Sequence, residues 1–358
     1  MDAAAPHLAQ LGGFARPAAS AAAGEARRYC GDVLRRAGFD VSQRPFEYSQ
    51  FAGSWATPVA GFVVPLVASL LVGAARAGVA ARVLGVAAAV GAIGIAALLR
   101  YVGGPGVLDL PIMRARGVNL QAVRGRDPPR VWLVAHVDTK WQPVSMLVRV
   151  AGVVVAIIGL IGVVGCVFLP RFGGGAPIFA GITWLGGIPL ILSVVGSGNH
   201  GTLDNASGVA AVLAAAEQLP RDRAIGVMIT DAEELALAGA RAWARAARPA
   251  IALNCDSVDD TGVLTVMYTG REPAPVVAAI RDAVVPTNQR LRVMRLIPGV
   301  LTDSVALAHA GWPSVTLSRG DLRTLQRIHT RGDTLAAMRG TGIPAAAAVL
   351  ARAALELS

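Results

Sequence analysis

The chain has 358 residues, 54% of them hydrophobic and only 16% charged, with a mean hydropathy of +0.54. That hydropathy is too high for an ordinary soluble enzyme and points to membrane segments, while the length admits two domains or one large one. The net charge of +10 is carried almost wholly by arginine, the one lysine being Lys140. The arginines are scattered, with no basic stripe and few aromatics beside them. This argues against a nucleic-acid partner and suits an anionic membrane surface. Cys30, Cys166 and Cys255 are far apart and form no C-x-x-C, so buried reduced thiols are expected. The segment Met1 to His7 has no basic stretch followed by an apolar run and does not read as a signal peptide.

In chain order, residues 25–38 predict an amphipathic helix ending at a glycine, and residues 40–48 an alternating strand. From Pro58 the character changes. Residues 58–75 and 83–99 carry no charge and are separated by a short turn from Arg76 to Arg82. Each is close to the ~20 residues that cross a bilayer, and Gly85, Ala89 and Gly91 would let such helices pack closely. Two buried core helices are the other reading. After the breaker Gly103 to Gly106, residues 117–123 predict a short strand and 131–136 a strand buried on both faces. The membrane signal then recurs: residues 150–169 are uncharged and closed by Pro170-Arg171, and residues 173–196 are uncharged again. None of the four apolar runs holds an ionisable group, so they read as an anchor and not as a conduit. Beyond Asp204 the pattern alternates. Strands are expected at 224–230, 251–255, 263–268, 291–296 and 315–317. Helices are expected at 209–219, 233–247, 276–285, 303–310 and from 334 to the C-terminus, the last with a break near 340–344. Such alternation predicts an α/β fold with a mixed, mostly parallel sheet flanked by helices.

The residues able to do chemistry fall at predicted strand ends or in loops, where sites form in α/β sheets. His136 and Asp138 close one strand, and Asp231, Glu233 and Glu234 follow another. Asp256 ends a third, His329 lies in a late loop, and Asp204 precedes a helix-like run. Imidazole and carboxylate together suit zinc. Asp204, Glu234 and Asp256 would neutralise three of the four charges on two Zn2+ ions, and a short carboxylate such as Asp204 is a fitting bridge. Glu233 would then stay free as a general base, and Asp138 would take the second ring N–H of His136. Bland readings exist for each residue alone. Asp204 serves as a helix N-cap, and Glu233-Glu234 as a favourable pair at a helix start.

Taken as an ordered set, these motifs resemble the di-zinc aminopeptidases of peptidase family M28. Asn119 in Gly117-Val118-Asn119-Leu120, His136-Val137-Asp138-Thr139 and Asp204-Asn205-Ala206-Ser207-Gly208 resemble its first motifs. Asp231-Ala232-Glu233-Glu234, Asn254-Cys255-Asp256, Asp303 and Ile328-His329-Thr330 follow in the same order. The resemblance implies a zinc-exopeptidase (phosphorylase/hydrolase-like) fold acting on peptide substrates. It implies that His136 and Asp256 bind one zinc, Glu234 and His329 the other, and that Asp204 bridges them. Glu233 would take a proton from the attacking water and pass it to the leaving amine.

Three departures stand out. Ile328 replaces a tyrosine that many relatives use as an oxyanion donor, and Ser304 follows Asp303 where relatives often have His. His136 and Asp204 are 204 − 136 = 68 positions apart, far more than the family loop. The expected organisation is therefore peptidase segments 1–57, 101–148 and 198–358, interrupted by transmembrane hairpins at 58–100 and 149–197. That is a multi-pass plasma-membrane protein with about four helices. Arg44, Arg100, Arg114, Arg116, Lys140 and Arg149 flank the catalytic side, against Arg76, Arg82 and Arg171 at the tips, which predicts a cytoplasmic site. A membrane-anchored aminopeptidase for short peptides is the leading reading. A glutaminyl-cyclase-like acyltransferase is suggested by His136-Val137-Asp138-Thr139-Lys140, and a non-catalytic receptor or scaffold is the third.

Overall fold

The computed structural model describes residues 4–125, 127–169, 174–296 and 300–358. The first half of the chain runs α1 (Ala5–Leu11), α2 (Ala21–Arg36), β1 (Asp40–Ser49), α3 (Phe51–Arg76), α4 (Ala81–Val102), α5 (Gly106–Asp109), β2 (Arg114–Val123), β3 (Val131–His136), α6 (Met146–Phe168) and α7 (Ala176–Ile191). The second runs α8 (Ser207–Gln218), β4 (Ile225–Thr230), α9 (Ala238–Ala246), β5 (Ile251–Val258), β6 (Val263–Tyr268), α10 (Ala274–Val284), β7 (Leu291–Arg295), α11 (Asp303–His309), β8 (Ser314–Gly320), α12 (Leu322–Arg327) and α13 (Ile343–Leu357).

The strands form one eight-stranded sheet in the order β1-β2-β4-β3-β5-β8-β6-β7. Its middle, β4-β3-β5-β8, is parallel, whereas β1, β2 and β6 join in antiparallel fashion. All six residues of β3 are buried, because both faces of the strand are covered. Val131, Leu133 and Ala135 face the layer containing α8 and α13, and Trp132 and Val134 face α9 and α11. On the second face Trp243 lies 4.9 Å from Trp132 and 4.6 Å from Trp312, ring centroid to centroid. Each such pair adds about 0.5–1.5 kcal/mol beyond its area of burial. This is the mixed, mostly parallel sheet flanked by helices that the alternating pattern predicts. The three cysteines are free and buried.

Two departures in element boundaries bear on the site. The helix expected over residues 233–247 begins only at Ala238. Ala232, Ala236 and Leu237 hold positive φ, so the stretch from Glu233 is a tight turn that continues the strand end. The closing helix begins at Ile343, after Gly340 (φ +78°) and Gly342, and not at Thr334.

Both apolar insertions leave the sheet and return to it through short antiparallel contacts. The last pair of the β1–β2 ladder is Ser49 with Arg114, and the Gln50 N–H donates to the Met113 carbonyl at 3.0 Å. Trp141 and Gly196 form an isolated antiparallel bridge with N···O distances of 2.9 and 2.8 Å. Everything between each pair of contacts is side excursion.

Three of the excursion helices are long and apolar enough to cross a membrane: α3 with 26 residues, α4 with 22 and α6 with 23. The fourth, α7, has 16 residues, about 24 Å at 1.5 Å per residue, short of a ~30 Å hydrocarbon core. Among the described residues, three of the four expected runs thus form helices of sufficient length, and the fourth forms a shorter apolar helix. Pro170, Arg171 and Gly173, expected at the second hairpin's tip and start, lie outside the described residues. The first run also begins earlier than Pro58. α3 starts at Phe51 and continues through Pro58 and Pro65.

Small residues let α3, α6 and α7 approach closely. A Cβ on Gly186 would lie 2.3 Å from the Ala156 nitrogen, one on Gly159 2.5 Å from the Thr183 nitrogen, and one on Gly187 2.5 Å from the Gly61 carbonyl. The outward faces expose Val86, Val90, Ile93, Ile157, Ile161 and Leu185, an apolar surface larger than a soluble monomer normally shows. Gly186→Leu should wedge α6 from α7 and cost on the order of 1–3 kcal/mol or more. Thermal unfolding in detergent measures this, and a melting temperature equal to wild type would contradict the packing.

Candidate metal centre

Three strand ends and one loop converge on Asp204. β3 delivers His136, the turn after β4 delivers Glu233 and Glu234, β5 delivers Asp256, and the loop after α12 delivers His329. All six side chains are buried. The two oxygens of Asp204 face different histidines: Oδ1 is 3.2 Å from Nε2 of His136, and Oδ2 is 3.0 Å from Nε2 of His329. Around His136 stand Asp256 at 3.7 Å and Glu233 at 3.9 Å; beside His329 stands Glu234 at 3.1 Å. The side chains therefore form two groups, His136-Glu233-Asp256 and Asp204-Glu234-His329, whose ligand atoms lie within 4.8 Å of one another.

Asp204 is not the cap of α8: that position is Ala206, whose side chain makes no cap bond, and both Asp204 oxygens face the histidines. Asn205 does the local bonding instead: its Oδ1 accepts from the N–H groups of Gly208 (2.9 Å) and Ser257 (3.1 Å). Asp333 holds Asp204 from behind, its carboxylate accepting from the N–H groups of Leu203 (2.6 Å) and Asp204 (3.1 Å). Arg16, fully buried, ties the approach to the site. Its guanidinium donates to the carbonyls of Val137 (2.8 Å), His200 (2.8 Å) and Gly201 (2.9 Å).

Asp138 plays a different part from the one its sequence position suggests. Nδ1 of His136 meets the main-chain carbonyl of Asp138 at 3.1 Å, and the carboxylate lies farther off at 3.7 Å. That carboxylate accepts from the N–H groups of Glu233 (3.0 Å) and Glu234 (3.2 Å) and so fixes the glutamate turn. Asp231, from the acidic motif, faces away, paired with Arg27 at 2.8 Å. Asn119 secures the same turn by accepting from the Asp231 N–H and donating to the Gly239 carbonyl.

Lys140, Asp333, Asp303 and Arg16 also belong to the site, and sequence reasoning gave none of them a site role. Nζ of Lys140 lies 2.7 Å from Oε2 of Glu234. Asp303 receives the Thr230 hydroxyl at 2.5 Å. Lys140 and Asp303 carried one signal each, their places at the end of His136-Val137-Asp138-Thr139-Lys140 and in the ordered motif set; Asp333 and Arg16 carried none beyond being charged.

So many carboxylates cannot ionise together in a dry space. Burial pushes Glu233 well above the usual carboxylate range; His136 opposes this, and Glu234, Asp256 and Asp303 add to it. Burial likewise raises Asp256 and lifts Asp303 to about 7 against the pull of His136. Burial and the nearby Asp204 also lift Asp333 to about 7, against its backbone hydrogen bonds. Asp204 and Glu234 go the other way despite burial. The two histidines hold Asp204 below its ordinary range, and His329 with Lys140 brings Glu234 to about 2. Burial would lower His136, but Glu233, Asp138, Asp204 and Asp256 outweigh it and raise the imidazole well above its ordinary value.

A bound cation would relieve this crowding, and the donor geometry fits one. Nε2 of His136 and Oε1 of Glu234 are buried without a hydrogen-bond partner. Donors in a tetrahedral zinc shell with bonds near 2.1 Å sit about 3.4 Å apart. The separations above, 3.0 to 3.9 Å, bracket that value.

Residues 120–354 match the sequence family described as peptidase family M28. The chain belongs to that family. A comparison with curated proteins finds no match. Among solved structures, the fold is similar to an aminopeptidase from Aneurinibacillus sp. strain AM-1, with a TM-score of 0.56 and 14% identity over 98% of this chain and 92% of the other. It is as similar to BSAP, a zinc aminopeptidase from Bacillus subtilis, with a TM-score of 0.56 and 14% identity over 98% and 93% of the two chains. A glutaminyl cyclase from Porphyromonas gingivalis gives a TM-score of 0.56 and 14% identity over 100% and 98%. These likenesses establish the M28 fold here and leave the reaction to be argued from the site.

Two expectations follow for this M28 centre. Asp333→Ala leaves two buried N–H groups unpaired and lets Asp204 move, which should weaken metal binding on the order of 10- to 100-fold. Competition with a zinc chelator measures it; unchanged affinity would remove Asp333 from the support of the site. The second concerns pH in chelator-stripped protein. Asp204 and Glu234, held low, are ionised in both folded and unfolded chains above about pH 5 and give no slope there. His136, Glu233, Asp256, Asp303 and Asp333 keep protons that the unfolded chain releases, so stability falls as pH rises. The stripped protein should melt higher at pH 5.5 than at pH 8, and added zinc should restore the loss at pH 8. Equal melting at both values would contradict the crowding.

Proposed function

We propose that this M28 protein is a membrane-anchored zinc peptidase, an aminopeptidase that removes N-terminal residues from short peptides. The observation supporting this most directly is the divided carboxylate of Asp204, one oxygen toward His136 and the other toward His329. On this reading Asp204 joins two ions, one held also by His136 and Asp256 and the other by Glu234 and His329. The bound zinc would polarise the scissile carbonyl and lower the pKa of water.

The protein's own work is then proton transfer and positioning. Glu233 stands at the edge of the first group, in a buried setting that favours its protonated form. Ionised once cations neutralise the acids around it, Glu233 would take a proton from the attacking water, and its raised proton affinity suits it to hold that proton and return it to the leaving amine. Asp138 holds Glu233 in place through the main chain. Ile328 has no donor to offer, so the oxyanion must be steadied without it.

The three long apolar helices with exposed apolar faces support anchoring in a bilayer. With the arginine distribution they favour a plasma-membrane protein whose site faces the cytoplasm. A cyclase-type acyl transfer is the second reading, favoured by one contact. Lys140, from the motif that resembles those enzymes, reaches Glu234 in the group Asp204-Glu234-His329, which gathers as a unit by itself.

Glu233→Gln should keep zinc within a few-fold of wild type while hydrolysis of aminoacyl reporter peptides falls on the order of 10²–10⁴-fold. Retained activity would sink the assignment of the base. Protein purified with no divalent metal would sink the enzyme reading, and one zinc per chain instead of two would favour the cyclase.

A further inference from the structure

The cavity above the metal centre has a volume of about 710 Å³. One wall comes from the first turns of the apolar helices, Ala52, Gly53 and Thr57 of α3 and Met146, Arg149 and Val150 of α6. In the sequence Arg149 reads as a charge flanking an apolar run, the kind that snorkels to a membrane interface. In the structure it belongs to the helix itself and faces the cavity. It is half-buried; Nη1 donates to Oε1 of Gln142 at 3.1 Å, and Nη2 meets Sδ of Met146 at 2.8 Å. Gln142 in turn donates its main-chain N–H to the carbonyl of His329 at 2.8 Å, so the guanidinium is tied to the metal-centre loop. Both of its described hydrogen-bond partners are neutral atoms, and it forms no ion pair among the described residues. It is nonetheless near enough to interact electrostatically with Glu234, Asp204 and Glu233.

The rest of the lining lacks the opposite charge. Apart from Asp204, Glu233, Glu234 and Asp256, the described lining holds one acid, Asp321. Its carboxylate is taken up by the N–H groups of Arg323 (2.7 Å) and Thr324 (3.2 Å) and by the Thr261 hydroxyl (3.2 Å). Asp259 and Asp260, the acids nearest Asp256 in sequence, are also committed elsewhere. Asp259 pairs with Arg327 at 3.0 Å, and Asp260 accepts from the N–H groups of Arg339 and Thr341. Lys140 is held by Glu234. With the metal-holding acids neutralised by their ions, the lining keeps an excess of positive charge, on Lys140 beside Glu234, on the exposed Arg292 and on Arg149, which is half-buried and tied to the loop of the site.

We propose that Arg149 anchors a free carboxylate on the substrate, which makes short peptides with an unblocked C-terminus the preferred class. A guanidinium matches a carboxylate with two parallel N–H···O bonds, and in a half-buried cavity that pairing is stronger than at a surface. Arg149 stands on the wall of the same cavity as the site, so only a peptide whose C-terminus lies within the cavity can bring its carboxylate to the guanidinium. The inference rests on the peptidase reading for the bond that is cut, but not for the binding of the carboxylate.

The test compares Leu-Ala with Leu-Ala amide on the zinc-loaded full chain in detergent, by hydrolysis and by calorimetric titration. The free acid should be preferred about 10- to 100-fold in kcat/KM, mainly through KM, the size expected for a hydrogen-bonded ion pair. Arg149→Gln should bring the acid-to-amide ratio close to one, and Arg149→Lys should keep part of the preference. Zinc content and melting temperature show that each variant is folded. A wild-type ratio near one, or an equal loss on both substrates in Arg149→Gln, overturns the anchor. If neither substrate is cleaved, titration decides. Tighter binding of the acid that Arg149→Gln abolishes keeps the anchor and removes the peptidase reading, and equal binding of acid and amide removes the anchor.

Discussion

The constraint on which the centre depends is an excess of negative charge on buried side chains. Asp204, Glu233, Glu234 and Asp256 are buried around two histidines, with Asp138, Asp303 and Asp333 directly behind them. No arrangement of hydrogen bonds within the chain satisfies that group; several of its atoms have no partner. Such a cluster persists in a folded protein only if cations complete it or protons occupy it. The supporting residues make sense in that light. Arg16, Asp138 and Asp333 spend their charges on main-chain atoms, clamping the loops that carry the cluster so that the acids cannot spread apart.

The sheet supplies the other half of the constraint. Its four parallel central strands end on the same side, so β3, β4 and β5 deliver His136, the glutamate turn and Asp256 to neighbouring points. Large excursions are tolerated because they begin and end in adjacent backbone positions. The first departs at the end of the β1–β2 ladder and the second across the Trp141–Gly196 bridge. The register of the catalytic strands is therefore independent of what lies between those points, although the helices of both excursions come back to wall the cavity.

Much of this was legible in the sequence. The alternating pattern gave the sheet and its flanking helices, and the six acids and histidines assigned to the metals and the base all gather at one point. Where the reading failed, the cause was tertiary. The helix from Glu233 looked continuous because Glu, Leu and Ala favour helix, yet the contacts of Asp138 with two successive N–H groups hold a turn there instead. Asp138 itself looked like a partner for the His136 ring; its position two residues along is right, but the strand's exit turns the carbonyl, not the carboxylate, toward Nδ1. Asp333 and Arg16 act on loops 129 and 185 positions away, and no local pattern marks such residues. The apolar run expected up to Gly196 is helical only to Ile191, because hydropathy counts apolar residues whether or not they are helical.

The Trp141–Gly196 bridge has a consequence for how such a chain can change. Two residues facing each other across an antiparallel bridge are close enough to be joined by a tight turn. The length between them is thus a free variable, and segments can be gained, lost or exchanged there without moving His136 relative to Asp204. What would be exchanged with them is the wall that carries Arg149. The joint separates two inheritances: the frame that holds His136, Asp204 and their neighbours stays with the sheet, while α6 and α7, with their apolar faces and the part of the cavity wall that includes Arg149, can change as one piece.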